Sequence, residues 1–387
     1  MFLNMTMKRN PELIKAAVKL HQNGDIPANT YVLDLDQIER NVEELAHTAT
    51  THHLRLYYMT KQIGRSGFIG QVIQQSGIEK AVAVDIDEAF ILRKAGCKIG
   101  NLGHLVQPSK SQWKEAITRL NPEVVTLFSY ERAEQLSAAA MELGKKQHVI
   151  LRVIRKSDYL YPGQFGGFRL DSLEQDLDLL KTFPGIEVIG ITSFPVFQLN
   201  EAKDAMSFTS NIETIQYARV ILENSGINVR HINAPSATSC HTIPLLKAVG
   251  VTHGEPGHAI TGTTPLHAYQ EHLPEVPSMV YVSEISHVDD EYAYTIAGGF
   301  YSRGNMEAAL YGSKGRDVLA QKATVALSSP ENIDYYGALQ KKGNMAVGDS
   351  VVYAFRTQIF VTRAHVAFVR GVQTSNPAIV YFQKRGL

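Results

Sequence analysis

The chain has 387 residues, 44% of them hydrophobic and 20% charged, with 38 Lys+Arg balanced by 38 Asp+Glu. That length exceeds one ordinary compact domain and predicts a large domain joined to a smaller one. Zero net charge, with no basic stripe and no acidic tail, argues against nucleic acid and leaves small-molecule chemistry as the expectation.

Residues 1–29 carry Lys8, Arg9 and Glu12 and lack the apolar core of a signal peptide. Pro11 to Leu20 reads as a short amphipathic helix, expected to pack on the C-terminal domain. A helix is predicted after Asp36, with Asp36 as N-cap, Glu39 closing a capping box, and Ile38, Val42 and Leu45 on one face. Eight strand-like runs follow: Leu54 to Thr60, Ala81 to Ile86, Ile99 to Val106, Val124 to Ser129, His148 to Ile154, Ile186 to Phe194, Val229 to Ala234 and Gly250 to Glu255. Helical patterns fill the gaps. Ser109 opens one, and another buries Ile212, Ile215, Ala218 and Leu222 before a stop at Gly226. Mostly apolar strands imply burial on both faces, as in a parallel sheet with helices outside. The prediction is a (β/α)8 TIM-type barrel over 30–265, with a doubly wound open sheet as the alternative. No Gly-x-Gly-x-x-Gly follows an early strand, which weighs against a dinucleotide fold.

After Pro265 the texture becomes β-rich: Met279 to His287, Tyr292 to Phe300, Ser350 to Arg363, His365 to Val372 and Ala378 to Gln383. Residues 266–387 are therefore expected to form a smaller antiparallel β domain. Cys97 and Cys240 are the only cysteines and lack metal-ligand spacing, which suits a reducing compartment. No stretch approaches the roughly 18 apolar residues of a membrane span, so a soluble, cytoplasmic protein without a membrane partner is expected.

In such barrels catalytic residues gather at the C-terminal strand ends. There the sequence places Lys61, Asp85, Asp87, His104, Ser129, Arg155, Ser193, Asn233, Ser236 and Glu255. Lys61 follows an apolar strand; it is either an exposed charge at a loop start or an amine whose pKa apolar surroundings lower, able to form an imine. Glu255-Pro-Gly257-His258 is either a tight turn with a solvated carboxylate or a cradle, in which backbone N–H groups near Gly257 and His258 join the Ser236 hydroxyl around a phosphate. His104, Trp113, Cys97, Cys240 and His241 read as packing or capping residues, and His287-Val-Asp289 as a solvated turn rather than metal ligands.

Order and spacing of four stretches resemble the fold-type III pyridoxal phosphate (PLP) enzymes, the group of alanine racemase and eukaryotic-type ornithine decarboxylase. These are Tyr31-Val-Leu-Asp-Leu-Asp36 (similar to the family's opening strand), Lys61 after Leu56 to Thr60, Asn233-Ala-Pro-Ser236, and Glu255-Pro-Gly257. The likeness spans nearly the whole chain and looks closest to the YhfX-type bacterial branch. It implies PLP bound as a Schiff base on Lys61, phosphate held by Ser236 and Gly257, and a pyridine nitrogen facing Glu255. Phe194 stands where the racemases stack a histidine on the ring, and Arg65 where they have a phosphate-binding tyrosine. Alanine racemases carry arginine at the position of Glu255, whereas the decarboxylases carry glutamate. Tyr301, in Ala297-Gly-Gly-Phe-Tyr301, is the nearest match to the racemases' second base, which a partner subunit supplies. The resemblance thus implies a homodimer with composite active sites. No cysteine follows Cys240, which argues against decarboxylase-type catalysis and against the zinc site of the D-serine dehydratases. The expectation is an amino-acid racemase or epimerase with Lys61 and Tyr301 as bases. A PLP-dependent lyase is the alternative; a non-catalytic PLP carrier and a barrel enzyme without PLP remain further readings.

Overall fold

The computed structural model describes residues 1–313, 317–326 and 331–385. Eight parallel strands form a ring: Arg55–Tyr58, Lys80–Val82, Lys98–Leu102, Val124–Leu127, Gln147–Ile154, Ile186–Thr192, His231–Asn233 and His253–Gly254. Each pairs with the next, and His253 and Gly254 of the eighth pair with Arg55 and Leu56 of the first, so the barrel closes. All eight coincide with runs read from sequence, and the open-sheet alternative is set aside. The barrel's inside is filled by Tyr57, Met59, Val82, Val84, Val124, Ile150 and Ile189. Asp85 and Ser129 cap the helices that follow their strands by accepting from Glu88 N and Arg132 N, which satisfies N–H groups that burial would otherwise orphan.

A second sheet has the strand order Lys322–Thr324, Ala308–Gly312, Ser350–Tyr353, Met279–Val288, Thr30–Asp34, His365–Arg370, Ala378–Gln383. Its pairings are antiparallel except between Thr30–Asp34 and His365–Arg370. Tyr292–Ile296 and Tyr336–Gln340 extend it from the strand Met279–Val288. Helix Pro11–Gln22 buries Leu13, Ile14 and Ala17 against Val32, Val280, Val282 and Val352 of this sheet.

The contacts divide the chain differently from the expected boundaries of 29/30 and 265/266. Met1–Asn41, Lys61–Gly64 and His258–Leu387 form one unit, and Val42–Thr60 with Arg65–Gly257 the other. The opening strand Thr30–Asp34 lies between two strands of the second sheet rather than in the barrel. All its residues are buried, and a fully buried apolar run has the same signature in a barrel as in the centre of a covered sheet. The capping expectation is also corrected. The helix runs Leu35–Thr51, and Asp34, not Asp36, accepts from Gln37 N at 3.1 Å. Asp36 and Glu39 instead hold the Arg370 guanidinium.

Candidate functional site

The barrel interior turns polar at the C-terminal ends of its strands. Glu255 follows the eighth strand with only 5% of its surface exposed. Its Oε1 accepts from Asn101 Nδ2 and Asn233 Nδ2, each at 2.9 Å. Thr126 donates to Asn101 Oδ1 at 2.8 Å, which turns the amide nitrogen toward Glu255. The Glu255 backbone N–H donates to Thr238 Oγ1 at 3.0 Å. His104, 1% exposed, places Nε2 3.4 Å from Glu255 Oε2. Its ring meets Phe194 edge-on at 5.5 Å, and Phe194 in turn meets Tyr161 at 5.6 Å.

Asn101 and Thr126 are the residues that sequence reading missed, and His104, placed at a strand end but read as packing, faces the Glu255 carboxylate. An amide inside the strand Lys98-Ile-Gly-Asn101-Leu102 was the available signal, because a buried amide in an apolar strand needs partners.

Ser236 and Ala237 have φ of 117° and 45°. The Ser236 hydroxyl accepts from Phe197 N at 2.9 Å, so it is engaged within the barrel unit. The backbone N–H groups of Ser236, Ala237 and Thr238 have no acceptor among the described residues. Successive N–H groups in such a turn form a concavity suited to an anion. Arg65, itself at φ 58°, is ion-paired with Asp85.

Thr60, the residue before Lys61, is fixed by a buried carboxylate: its hydroxyl donates to Glu88 Oε1 at 2.5 Å, while Glu88 Oε2 accepts from Val84 N at 2.7 Å. Burial pushes the Glu88 carboxyl upward, and those two hydrogen bonds oppose the shift.

The other unit holds the remaining expected residues. Lys61 begins a 3-10 turn, Lys61–Ile63, and is half-buried. His258 is buried, and burial drives its imidazole well below the usual range, helped by the charges of Arg356 and Lys61. It is therefore a neutral group at physiological pH. Tyr301 is half-buried in a turn closed by Gly304 N donating to Tyr301 O at 2.8 Å. Further along, Asp289 accepts from Glu291 N, Tyr292 N and the Tyr294 hydroxyl, and His287 stacks on Tyr294.

The barrel unit's donors fit a phosphorylated pyridine. Three free N–H groups suit the phosphate, a fixed buried carboxylate suits the ring nitrogen, and Phe194 offers an aromatic face.

A closed parallel barrel with this polar mouth, together with a separate antiparallel sheet, is the architecture of the alanine racemase fold. The alanine racemase N-terminal domain family matches residues 33–265, and the YhfX-like C-terminal domain family matches residues 280–379. The protein YhfX of Escherichia coli K12 is 40% identical over 380 residues, covering 98% of this chain and 97% of that one. Among solved structures, alanine racemase of Clostridium difficile 630 in complex with cycloserine aligns at TM-score 0.66 and 14% identity, covering 94% and 99% of the two chains. D-threo-3-hydroxyaspartate dehydratase of Delftia sp. HT23 aligns at TM-score 0.68 and 14% identity, covering 94% and 98%. The chain belongs to the alanine racemase family, in its YhfX-like branch.

Proposed function

We propose that the protein is a PLP-dependent enzyme acting at Cα of an amino acid, with racemisation or epimerisation as its reaction. The observation that carries the cofactor reading is the buried Glu255 carboxylate, held by the Asn101 and Asn233 amides, with its backbone N–H fixed on Thr238, beside three unsatisfied backbone N–H groups. When bound, PLP supplies an electron sink for the pair left at Cα. The chain's residues do the rest. Lys61 would hold the group through its amine and would move a proton at Cα. Tyr301 from a partner subunit serves the opposite face, which requires a homodimer. The N–H groups of Ser236 to Thr238, with Gly257, hold the phosphate, and Phe194 covers the ring. The Ser236 hydroxyl shapes this loop through Phe197, and Arg65 reaches a phosphate only by sharing or releasing Asp85.

Glu255 also favours a second reading. A carboxylate at the ring nitrogen keeps that nitrogen protonated, because an opposite charge stabilises the charged form. A stronger sink widens the chemistry toward elimination or aldol cleavage.

The test is borohydride reduction of the yellow protein followed by peptide mapping. The pyridoxyl label is expected on Lys61; a label on another lysine, or no chromophore after incubation with PLP, overturns the proposal. Solvent-deuterium exchange at Cα, followed across D- and L-amino acids with keto-acid release, then separates racemase from lyase.

A further inference from the structure

Arg152 lies in the fifth barrel strand, Gln147–Ile154, paired with Thr192 of the sixth. Strand residues two apart share a face, and Ile150 belongs to the barrel's interior cluster. Arg152 therefore faces the interior, one layer nearer the C-terminal mouth. Only 1% of its surface is exposed.

Its hydrogen bonding is far from saturated. Nη2 donates to the Gln164 carbonyl at 2.7 Å, the guanidinium lies 4.8 Å from the centre of the Phe128 ring, and the buried Nε–H has no acceptor. Among the described residues no carboxylate pairs with it. Burial lowers its pKa to about 10, and no negative charge opposes that shift, so it remains a cation at neutral pH. Other arginines of this chain do have carboxylate partners: Arg65 has Asp85, Arg155 has Glu213 and Arg370 has Glu39. A buried charge without a counter-charge is costly unless a ligand neutralises it.

The segment that covers it is rich in glycine and reaches the surface. Gly163, Gly166 and Gly167 have φ of 77°, 106° and 138°. A Cβ on Gly167 would lie 2.7 Å from the Arg152 carbonyl oxygen, so only glycine lets the loop rest on this strand. Phe165 at the loop's tip is exposed. The Gln164 carbonyl thus occupies one guanidinium donor from a loop that contacts solvent, and a stronger acceptor can displace it.

We infer that Arg152 is the substrate-binding cation that receives a carboxylate of the amino acid in place of the Gln164 carbonyl. A planar carboxylate matches the guanidinium fork with two parallel hydrogen bonds, Phe128 covering the plane. A phosphate is already provided for by the separate N–H cradle at Ser236 to Thr238. The inference rests on the PLP reading for the identity of the substrate, but not for the existence of the anion site.

The test uses full-length holoprotein, wild type beside Arg152→Met and Arg152→Lys, titrated with alanine, alaninamide and aspartate while the cofactor band is followed. Arg152→Met is expected to weaken alanine binding by about 10- to 100-fold, the range for hydrogen bonds to a charged group. Alaninamide binding should be unchanged, and Arg152→Lys should recover part of the loss. Weakening confined to aspartate would assign the site to the side-chain carboxylate instead of the α-carboxylate. Equal loss for alanine and alaninamide, an altered cofactor spectrum with unchanged carboxylate discrimination, or no change at all overturns the inference. Melting temperature with and without succinate gives a readout that needs no cofactor: wild type should rise and Arg152→Met should not. Absence of the visible band in wild type would fell the PLP reading alone, and the succinate shift would still decide the anion site.

Discussion

Both ends of the barrel bury histidine. At the N-terminal end, His231 and His253 stack with ring centres 3.5 Å apart and planes 5° from parallel. Tyr57 packs 5.7 and 5.4 Å from them. Burial holds both imidazoles neutral, with His253 lowered to about 3 although the Glu123 carboxylate pulls it upward, and the nearby cation Arg55 pushes both the same way as burial. At the C-terminal end, His104 is equally buried but faces the Glu255 carboxylate at 3.4 Å. The same residue type is a packing element where burial outweighs the pull of the one nearby carboxylate, Glu123, and part of a polar assembly where a carboxylate lies against the ring. The difference follows the general division of the barrel, with conserved chemistry at the C-terminal face and stability at the other.

If that division holds, the largest effect should appear in turnover. Glu255→Gln keeps the shape and one acceptor but removes the charge. We expect a fall of about 100- to 1,000-fold, the scale of losing one preorganised electrostatic group. Elimination or aldol products should fall further than Cα–deuterium exchange. His231→Phe at the opposite end should leave turnover unchanged. Comparable losses from the two substitutions would erase the comparison.

Stability should separate the ends next. Glu255→Ala orphans the buried Asn101 and Asn233 amides, at about 1–3 kcal/mol each. His253→Phe keeps the stacked ring but adds volume and removes the hydrogen bond between the imidazole and Thr252 Oγ1, for which a smaller total cost of about 1–3 kcal/mol is expected. Urea midpoints measured at one pH decide this.

Acid sharpens the contrast further. The folded-state pKa values of His231 and His253 lie below those of the unfolded chain. Their contribution is therefore complete above the unfolded value of about 6.5. It is lost as pH falls toward the folded value of about 3 for His253, because the unfolded chain binds the proton first. The steepest loss is about 1.4 kcal/mol per pH unit for each histidine. Glu88 and Asp34, whose carboxyls burial raises, change in the opposite sense. The diagnostic is therefore the difference between wild type and the double variant His231→Phe, His253→Phe, whose urea midpoint should depend less on pH below about 6.5. Parallel profiles would mean the pair is already protonated or exposed.

How much of this the sequence disclosed depended on range. All eight barrel strands were readable because each is a local apolar run bounded by a helical pattern. The short strands Ala308–Gly312, Lys322–Thr324 and Tyr336–Gln340 were not, since three to five residues with Gly or Lys inside carry little periodicity. The run expected from Ser350 to Arg363 ends as a strand at Tyr353. Glu255 was singled out as a strand-end carboxylate, but its partners come from the third, fourth and seventh strands and loops, and only barrel closure brings Asn101, His104, Thr126 and Asn233 together. Arg152 gave no signal at all: one cation inside Val149-Ile-Leu-Arg152-Val153 looks the same whether it points at a helix or into the barrel.

The smallest effect should come from the charges at the N-terminal end. Glu123 is ion-paired with Lys80 at 2.7 Å and lies 3.8 Å from Arg55, with about a quarter of its side chain in solvent. A partly exposed pair of this kind contributes roughly 0–1 kcal/mol, because water screens it and ordering two long side chains opposes it. Lys80→Met should therefore move the urea midpoint little. The change should shrink further in 1 M salt, where the screening length is only about 3 Å. The same substitution removes one of the cations that help keep His253 neutral. The folded-state pKa of His253 should then rise, and its acid-driven loss of stability should become slightly shallower. Histidine resonances followed by NMR through the acid range would show this directly. A large, salt-insensitive loss in Lys80→Met would instead mean that the N-terminal end depends on charge as much as the mouth does, and the distinction between the two ends would have to be abandoned.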